Sequence, residues 1–485
     1  SLGGPIIPDR LFFFGAYEHS EVTFAQDDGP SGGGFPNERA FLTVAQFNEI
    51  SDVLKNVYGR DTLGIVQDRK SVTDRYFGRL DFYITDNHRL EATYQRTEEN
   101  QIKADDFSGA NITGADNFQN SGSTADYASV RLYSNWSDIF STELRYSRSE
   151  ITDIQGPVGG GEAQDGNPLP RFVIGTQNGS SQGLFISGPG FSRGANDLYT
   201  TIDQYKFKGT LDGGAHKIMF GAEMNTVNFD NLFVQNATGT LYFANIDALR
   251  NGRINTGTST SVTTAAQVIA GATPGQGTIG AEGSFTRDGN INSARAKFDR
   301  TLYSAYIQDV WQASDRLELT GGVRVDWYDG GHPQLNPNFV ERYGFSNITG
   351  FSNLDPVVLP RFAFNYDMGD FAFFGRARLK GGVGIFSGGD PGVWFGNAFQ
   401  NNGYGFASGN TTDAPCVNTA ANPIVVVQNG KFTGLPTCFQ TAAQNRAGAG
   451  LGDTQSIDPN IEIPTVIRAN LGFEAQLGTG GGFFG

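Results

Sequence analysis

The feature that most constrains this sequence is a regular alternation of very short and very long connections between segments of period-two hydrophobicity. In residues 76–84, apolar side chains occupy every second position, and Arg79 and Asp81 lie between them. A short turn at residues 85–88 leads into a second alternating segment, residues 89–95. Alternation of this kind is typical of a β-strand with one apolar face and one polar face. The pair therefore predicts a β-hairpin.

The same unit recurs four more times along the chain. The further turns are predicted at Ser137-Asp138, Asp212-Gly213-Gly214, Ala313-Ser314-Asp315 and residues 367–370. With single strands near residues 10–20 and 465–477, the pattern predicts about twelve strands. The connections at the opposite ends of the hairpins are long, and they comprise residues 21–73, 99–123, 151–196, 229–299, 329–357 and 387–464.

These long connections argue against an ordinary compact soluble domain, where connections have a median of roughly four to six residues. Outer-membrane barrels combine short periplasmic turns with long extracellular loops, and each of their strands needs roughly 9 to 11 residues to cross the bilayer. We therefore predict an all-β fold, a transmembrane antiparallel up-and-down β-barrel in the bacterial outer membrane. A soluble β-sandwich is the alternative, but it gives no reason for every second connection to be long.

Composition agrees with this class. The chain has 485 residues, of which 66 are Gly and 39 are Phe, and its net charge is −15. Without a basic block to displace phosphate counterions, we expect no nucleic-acid partner. Aromatic residues are expected at the two interfaces of the membrane. Those predicted near the periplasmic rim are Phe12, Phe13, Phe14, Trp136, Phe140 and Trp311, and those near the outer rim are Tyr94 and Trp327.

The alternation also assigns the side chains of the strands to two faces. We expect lipid contact for Leu80, Phe82, Leu132, Leu144, Val323 and Val325. We expect the barrel lumen to be lined by Arg79, Asp81, Glu91, Arg131, Glu143, Arg145, Glu223, Arg324 and Asp326. Opposite charges on neighbouring strands predict a structural charge ladder first, and contact with a plug or a solute is the alternative.

The sequence offers little chemistry for catalysis. Residues 179–183 fit the G-x-S-x-G pattern of hydrolases, but this Asn/Gly/Ser-rich stretch lacks the strand-turn-helix context that the motif needs. The acidic pairs Asp27-Asp28 and Asp105-Asp106 are not part of a calcium-ligand series, so we expect solvated loop acids there. We predict no enzyme activity, no metal site and no cofactor.

The long connections contain three further signals. Thr43 and Gln46 have capping-box spacing before apolar residues at helical intervals, which predicts a helix ending before Gly59. Residues 256–283 are rich in Gly, Thr, Ala and Ser, which predicts a mobile stretch with little to bury. Residues 480–482 are predicted to form a turn and residues 483–485 to open another strand. We therefore expect the sequence to be a fragment of a longer protein.

The two cysteines of the chain, Cys416 and Cys438, both lie in the longest connection. An oxidising compartment permits a disulfide, which would contribute about 3 kcal/mol by closing this loop. We predict that this bond folds the connection into a compact extracellular lobe over the barrel mouth. Two unrelated thiols are the alternative.

Several stretches resemble a known family. Residues 1–14, SLGGPIIPDRLFFF, resemble the junction at which the plug of a TonB-dependent receptor enters its first barrel strand, in the Oar-like, OmpA-related branch. Further similar stretches are YIQDVW (306–311), RLELTGGVRVD (316–326), LPRFAFNYD (359–367), LKGGVGIFSGGDPGVWFGNAF (379–399) and IPTVIRANLGFEAQL (463–477). The resemblance extends over the whole chain, and the combination is more specific than any single stretch.

The resemblance implies a barrel of about 22 strands that is occluded by an N-terminal plug, with active uptake through a TonB box on that plug. Because this sequence contains neither plug nor TonB box and lacks the final strands, we expect residues 1–485 to be part of the barrel domain. The implied function is import of an unidentified substrate that the extracellular loops capture, with outer-membrane lipid and the TonB complex as partners. A passive porin-like channel and a surface adhesin or binding protein remain alternatives.

Overall fold

Among the described residues, thirteen strands form one antiparallel sheet. The structure is a computed structural model and describes residues 1–260, 264–370, 374–389 and 391–477. In chain order, the strands are β1 (Leu2–Ile7), β2 (Leu11–Ala25), β3 (Asp28–Ser31), β4 (Asn37–Thr43), β5 (Asp68–Thr85), β6 (His88–Lys103), β7 (Asn111–Thr113), β8 (Gln119–Asn135), β9 (Phe140–Ile154), β10 (Arg171–Asn178), β11 (Ser181–Ser187), β12 (Asn196–Gly213), β13 (His216–Phe233), β14 (Thr240–Phe243), β15 (Ala281–Phe285), β16 (Ala296–Ser314), β17 (Leu317–Gly330), β18 (Val357–Asp370), β19 (Phe374–Ser387), β20 (Ala407–Asn410), β21 (Val427–Gln428), β22 (Lys431–Phe432) and β23 (Thr465–Leu477).

The large sheet has the order β1-β2-β5-β6-β8-β9-β12-β13-β16-β17-β18-β19-β23. Its members are therefore adjacent in the same order as they occur along the chain, which is the predicted up-and-down arrangement. Turns of a few residues join the two strands of a hairpin, for example Asp86-Asn87 between β5 and β6. Residues 367–370, which were predicted to form a turn, are instead the end of β18, because their backbone continues to pair with residues 376–378 of β19. Residues 371–373, the predicted turn at 480–482 and the predicted strand opening at 483–485 lie outside the described residues.

Six α-helices are described, and all of them lie in the long connections. They are α1 (Val44–Val53), α2 (Ile246–Arg250), α3 (Ala265–Ala270), α4 (Pro337–Tyr343), α5 (Gly392–Gln400) and α6 (Thr437–Gly448). In the part of the chain that the structure describes, no helix is both long enough and apolar enough to span a membrane.

Strand number and strand length differ from the prediction. The short strand β1 was not predicted, because Gly3, Gly4 and Pro5 disfavour a strand. It forms at the edge of the sheet, where the missing N–H of Pro5 removes no essential hydrogen bond between strands. The other strands of the large sheet have 13 to 19 residues instead of roughly 9 to 11. The additional residues include polar ends such as residues 97–103 of β6. Backbone pairing does not require apolar side chains, so the hydrogen bonds between neighbouring strands continue beyond the segments of alternating apolar residues.

The two faces of the large sheet have the reverse of the burial found in a water-soluble protein. We call the side of Leu80, Phe82, Leu132, Leu144, Val323 and Val325 the apolar face, and the side of Arg79, Asp81, Glu91, Arg131, Glu143, Arg145, Glu223, Arg324 and Asp326 the charged face. Leu144 is 49% exposed and Val323 is 38% exposed, whereas Glu91 and Asp326 are each 5% exposed. In a β-sandwich the apolar side chains would fill a core between two sheets. An exposed apolar face of this extent is suited to lipid.

The long connections fold together into a second unit. We call the described residues of the six connections 26–67, 104–118, 155–195, 234–295, 331–356 and 388–464 the loop lobe. A six-stranded sheet in it has the order β20-β15-β14-β10-β11-β7, and its β10–β14 and β7–β11 pairs are parallel. The strands of this sheet come from four different connections. The lobe sheet therefore joins segments that follow several different hairpins of the large sheet.

Helix α1 confirms the capping-box prediction and supplies part of the lobe core. The Gln46 backbone N–H donates to Thr43 Oγ1 at 3.2 Å, and the Gln46 side chain accepts from the Thr43 backbone N–H at 3.0 Å. The helix continues as a π-helical turn, Leu54–Tyr58, and ends at Gly59, whose φ of 71° favours glycine. Phe47 and Ile50 are fully buried against the lobe sheet.

The prediction for residues 256–283 is wrong. Its described residues include α3 and the start of β15, and Val268 and Ile279 are fully buried. Both pack with Val173 and Tyr242 on the second face of the lobe sheet. The small residues permit close backbone packing rather than mobility: a Cβ on Gly257 would lie 2.2 Å from the Gly277 carbonyl oxygen.

Candidate functional site

The charged face contains two clusters of ion pairs, and the first surrounds Glu91. Arg79 lies 3.1 Å and Arg131 lies 3.5 Å from the Glu91 carboxylate. Asp81 binds Arg79 at 2.6 Å and Arg89 at 3.1 Å. Because β5, β6 and β8 are adjacent, side chains at matching heights meet across the strands. The predicted charge ladder is present here, and Arg89 extends it.

The second cluster surrounds Glu223. This carboxylate lies 3.0 Å from Arg324 and 3.4 Å from Lys206, and Arg324 also binds Asp326 at 2.7 Å. Nearby, Glu143 lies 3.5 Å from Lys208. The sequence prediction missed both lysines, although they alternate with Tyr205 and Phe207 and the period-two rule applies to them equally.

Arg145 interrupts the ladder between the two clusters. Its register partners on the adjacent strands are Arg131 and Lys206, both cations. Among the described residues it has no carboxylate partner, and its Nε is buried without a hydrogen bond. The charged face therefore has a locally positive segment that the opposite-charge prediction did not anticipate.

A buried ion pair joins three connections at the base of the loop lobe. Arg60 is 1% exposed, and its Nε donates to Asp116 Oδ2 at 2.7 Å. The same carboxylate oxygen accepts from the Ser187 hydroxyl and from the Gly188 backbone N–H, each at 2.7 Å. Arg60 also donates to the carbonyl oxygen of Gly159 at 3.2 Å. These bonds connect residues 26–67, 104–118 and 155–195.

The prediction of solvated loop acids at Asp105-Asp106 is wrong. Both oxygens of Asp106 accept from Arg171 at 2.8 Å, and Arg171 begins strand β10. Although burial alone would raise the pKa of Asp106, the Arg171 guanidinium holds it below its usual value. Burial and the neighbouring Asp106 charge raise the pKa of Asp105 to about 6. Sequence alone could not show that folding of the lobe covers these acids.

Glu162 is a second lobe carboxyl group with an unusual environment. It is 8% exposed, and its Oε1 has no hydrogen-bond partner among the described residues. Burial, with a contribution from Asp165, raises its pKa to about 7. This group therefore gains or loses its proton near neutral pH.

The predicted disulfide is present. Cys416 and Cys438 are bonded, with their Cα atoms 5.0 Å apart. Cys438 lies in the first turn of α6, and Phe439 beside it is fully buried in the lobe core. Cys416 packs against the same core. The longest connection is thus part of a compact lobe, to which it also contributes β20.

A cavity of about 350 Å³ opens in the lobe between α6, β15 and the segment before β10. It is lined by Ala163, Pro168, Pro170, Ala237, Thr238, Ser284, Phe285, Thr286, Gly289, Ile291, Phe432, Gly434, Leu435, Gln440 and Gln444. Small-molecule sites in proteins have volumes of roughly 300 to 1,000 Å³. The cavity is therefore large enough for a small ligand.

The G-x-S-x-G stretch lies outside this cavity, in the hairpin that joins β10 to β11. Asn178 pairs with Ser181, so Gly179 and Ser180 form a strand-to-strand turn rather than a nucleophile elbow before a helix. Within the described ranges, no group of three or more His, Cys, Asp or Glu side chains could hold a metal ion.

Comparison with known proteins assigns the fold to a family. Residues 44–483 match the family described as outer membrane beta barrel domain. The chain belongs to this family. The barrel domain therefore resides in the bacterial outer membrane, and its long antiparallel strands are barrel strands. None of the curated proteins matches the sequence.

Several solved outer-membrane proteins are similar to this chain at low sequence identity. The outer membrane transporter YddB from Escherichia coli is 13% identical with a TM-score of 0.47, and the match covers 82% of this chain and 39% of that chain. The ferric-catecholate import receptor Fiu from E. coli K12 is 13% identical with a TM-score of 0.39, with coverages of 82% and 48%. The copper transporter OprC is 11% identical with a TM-score of 0.41, with coverages of 81% and 44%. The chain spans less than half the length of each of these proteins.

Proposed function

We propose that this barrel domain belongs to a TonB-dependent receptor of the Oar-like branch, which captures a substrate on the loop lobe and imports it through a plugged barrel. The observation that carries the proposal is the lobe itself. Connections from one end of the sheet share a hydrophobic core and a ligand-sized cavity, and a disulfide closes part of the longest connection. A passive channel needs no such structure, whereas a receptor needs a rigid surface that recognises its substrate.

The proposal assigns an orientation to the sheet and to the lobe. The apolar face contacts lipid, the charged face lines the lumen, and the lobe is extracellular. Residues 1–485 then form part of a barrel of about 22 strands, and a plug that carries a TonB box connects the receptor to the TonB complex. In this arrangement Arg145, which has no carboxylate partner on the described sheet, is available to the plug or to a passing solute.

Two other roles fit the same family and are the competitors of this proposal. A porin-like channel would use the charged lumen for passive diffusion, and a surface adhesin would use the lobe without any transport. We do not propose an enzymatic role.

Conductance of the full-length protein in planar lipid bilayers distinguishes a plugged receptor from a channel. We expect no steady conductance, because the plug closes the barrel. A stable, ion-conducting pore in the native protein would instead establish a channel. Substrate accumulation in cells with and without a functional TonB complex then separates receptor from adhesin, since only the receptor requires TonB energy for uptake.

A further inference from the structure

The lobe cavity between α6 and β15 has an unusual lining for this chain, because none of its fifteen lining residues carries a charge. The whole sequence contains 35 Lys and Arg and 50 Asp and Glu residues. The charged face and the base of the lobe both concentrate such groups, but this cavity does not. A charged ligand that entered it would lose hydration without gaining a counter-charge. The cavity therefore selects against ions.

Two of its uncharged polar groups, the side-chain amides of Gln440 and Gln444, are available for a ligand. Gln440 and Gln444 are four residues apart on α6, so their side chains project from the same face of the helix. Neither side chain hydrogen-bonds another residue in the described part of the chain, and both line the cavity. Each amide offers two donor hydrogens and one acceptor oxygen. By contrast, the buried Gln400 amide elsewhere in the lobe bonds to Asn231 and to the Phe233 carbonyl oxygen.

The remaining wall combines hydroxyl groups with apolar surface. Thr238 and Ser284 lie beside the rings of Phe285 and Phe432 and the side chain of Leu435. The main chain of β15 is already engaged, because Ser284 pairs with Ser408 of β20 and its N–H donates to the Asn236 carbonyl oxygen. An extended peptide would therefore find no free strand edge here.

We propose that this cavity binds an uncharged, hydroxyl-rich ligand of the chemical class of a neutral oligosaccharide. The amides of Gln440 and Gln444 exchange hydrogen bonds with hydroxyl groups, while Phe285 and Phe432 pack against the apolar C–H faces of a sugar ring. This inference rests on the proposed function, since it names the substrate class for capture by the lobe. It concerns binding alone and makes no statement about translocation.

The test measures binding to the purified full-length receptor in detergent by isothermal titration calorimetry. The probes are α- and β-linked trisaccharides of glucose, mannose, galactose and xylose at millimolar concentration, with trigalacturonic acid as an anionic counterpart. We expect at least one neutral trisaccharide to bind and trigalacturonic acid not to bind. The variants Gln440→Leu and Gln444→Leu should each weaken binding at least tenfold.

The matched control is Asn445→Leu, which makes the same kind of change at an exposed position of α6 outside the cavity lining. It should leave affinity unchanged. Hydrogen–deuterium exchange of the unmutated protein gives a second readout, in which the ligand should protect residues 282–289 and α6.

Absence of binding by every neutral trisaccharide would overturn the inference, as would binding that survives both glutamine substitutions or protection confined to other parts of the lobe. Such a failure would leave TonB-dependent uptake untouched. Conversely, sugar binding without TonB-dependent uptake would refute the receptor function and keep the site.

Discussion

A substitution at Val323 tests whether the apolar face of the large sheet contacts lipid. It lies midway along β17 on the apolar face and is 38% exposed, while the adjacent Arg324 is held by Glu223 and Asp326 on the charged face. Val323→Arg should lower the free energy of unfolding by roughly 2 to 4 kcal/mol if the site is near the bilayer midplane. Urea titration in lipid vesicles measures this. Thr320→Arg, on the charged face, is the control, and equal losses for both variants would contradict the assignment of faces.

The Arg60–Asp116 pair should be among the most sensitive positions in the lobe. Arg60→Met leaves the Asp116 carboxylate buried without its counter-charge, which typically costs about 3 to 5 kcal/mol. We expect a destabilised lobe, detected as faster hydrogen exchange in β10 and β11. The double variant Arg60→Met with Asp116→Leu should recover much of the loss, because no uncompensated charge remains. A double variant as unstable as the single one would show that the pair acts through its shape instead.

Glu162 should make the stability of the lobe depend on pH. Its folded-state pKa of about 7 is above its usual value of 4.5, so between these values the folded state binds more protons than the unfolded state. Stability therefore falls as pH rises through this window, by at most roughly 3 kcal/mol. Hydrogen exchange at pH 5 and pH 8, corrected for intrinsic rates, measures the slope. Glu162→Gln should reduce the pH dependence of lobe stability. An unchanged slope would mean that other groups, such as Asp105, cause this dependence.

At the scale of elements, periodicity predicted what local sequence controls. The four hairpin turns before residue 316, strand β23 and the capped helix α1 were all predictable, because each depends on residues close together in the chain. The lobe sheet was not, since its short strands pair across different connections. Apolar runs such as Phe172-Val173-Ile174 and Leu184-Phe185-Ile186 were the available signal. No rule for a single sequence reveals which of them meet, and the free amides of Gln440 and Gln444 were equally hidden.

The disulfide should stabilise one element above the others. Replacing Cys416 and Cys438 together by Ser should destabilise the lobe by about 3 kcal/mol, because the loop of 22 residues is no longer closed in the unfolded chain. Exchange should increase most in α6, whose Phe439 anchors it to the core. Amides of the central barrel strands serve as an internal control and should not change. Unaltered exchange in α6 would mean that packing alone holds the helix.

For the whole molecule, the two units should unfold separately. The barrel strands are held by continuous backbone pairing in lipid or detergent, whereas the lobe depends on a water-exposed core. Rising urea should therefore release the amides of β10, β11 and β14 before those of β12 and β13. Hydrogen exchange at intermediate urea concentrations resolves the order. A single cooperative transition for all five strands would show that the lobe and the barrel stabilise each other fully.

The parallel pairing of β10 with β14 has a consequence for how the surface of this protein can diversify. Residues 171–174 face partners at 240–243, which belong to a different connection, and β20 arrives from a third. Independent loops could be exchanged one at a time between relatives, as interchangeable modules. Here a substitution in one connection alters the packing of the others, so homologous proteins should vary several loops together. Grafting a single loop from a relative should therefore fail, whereas transfer of the complete set of loops should succeed.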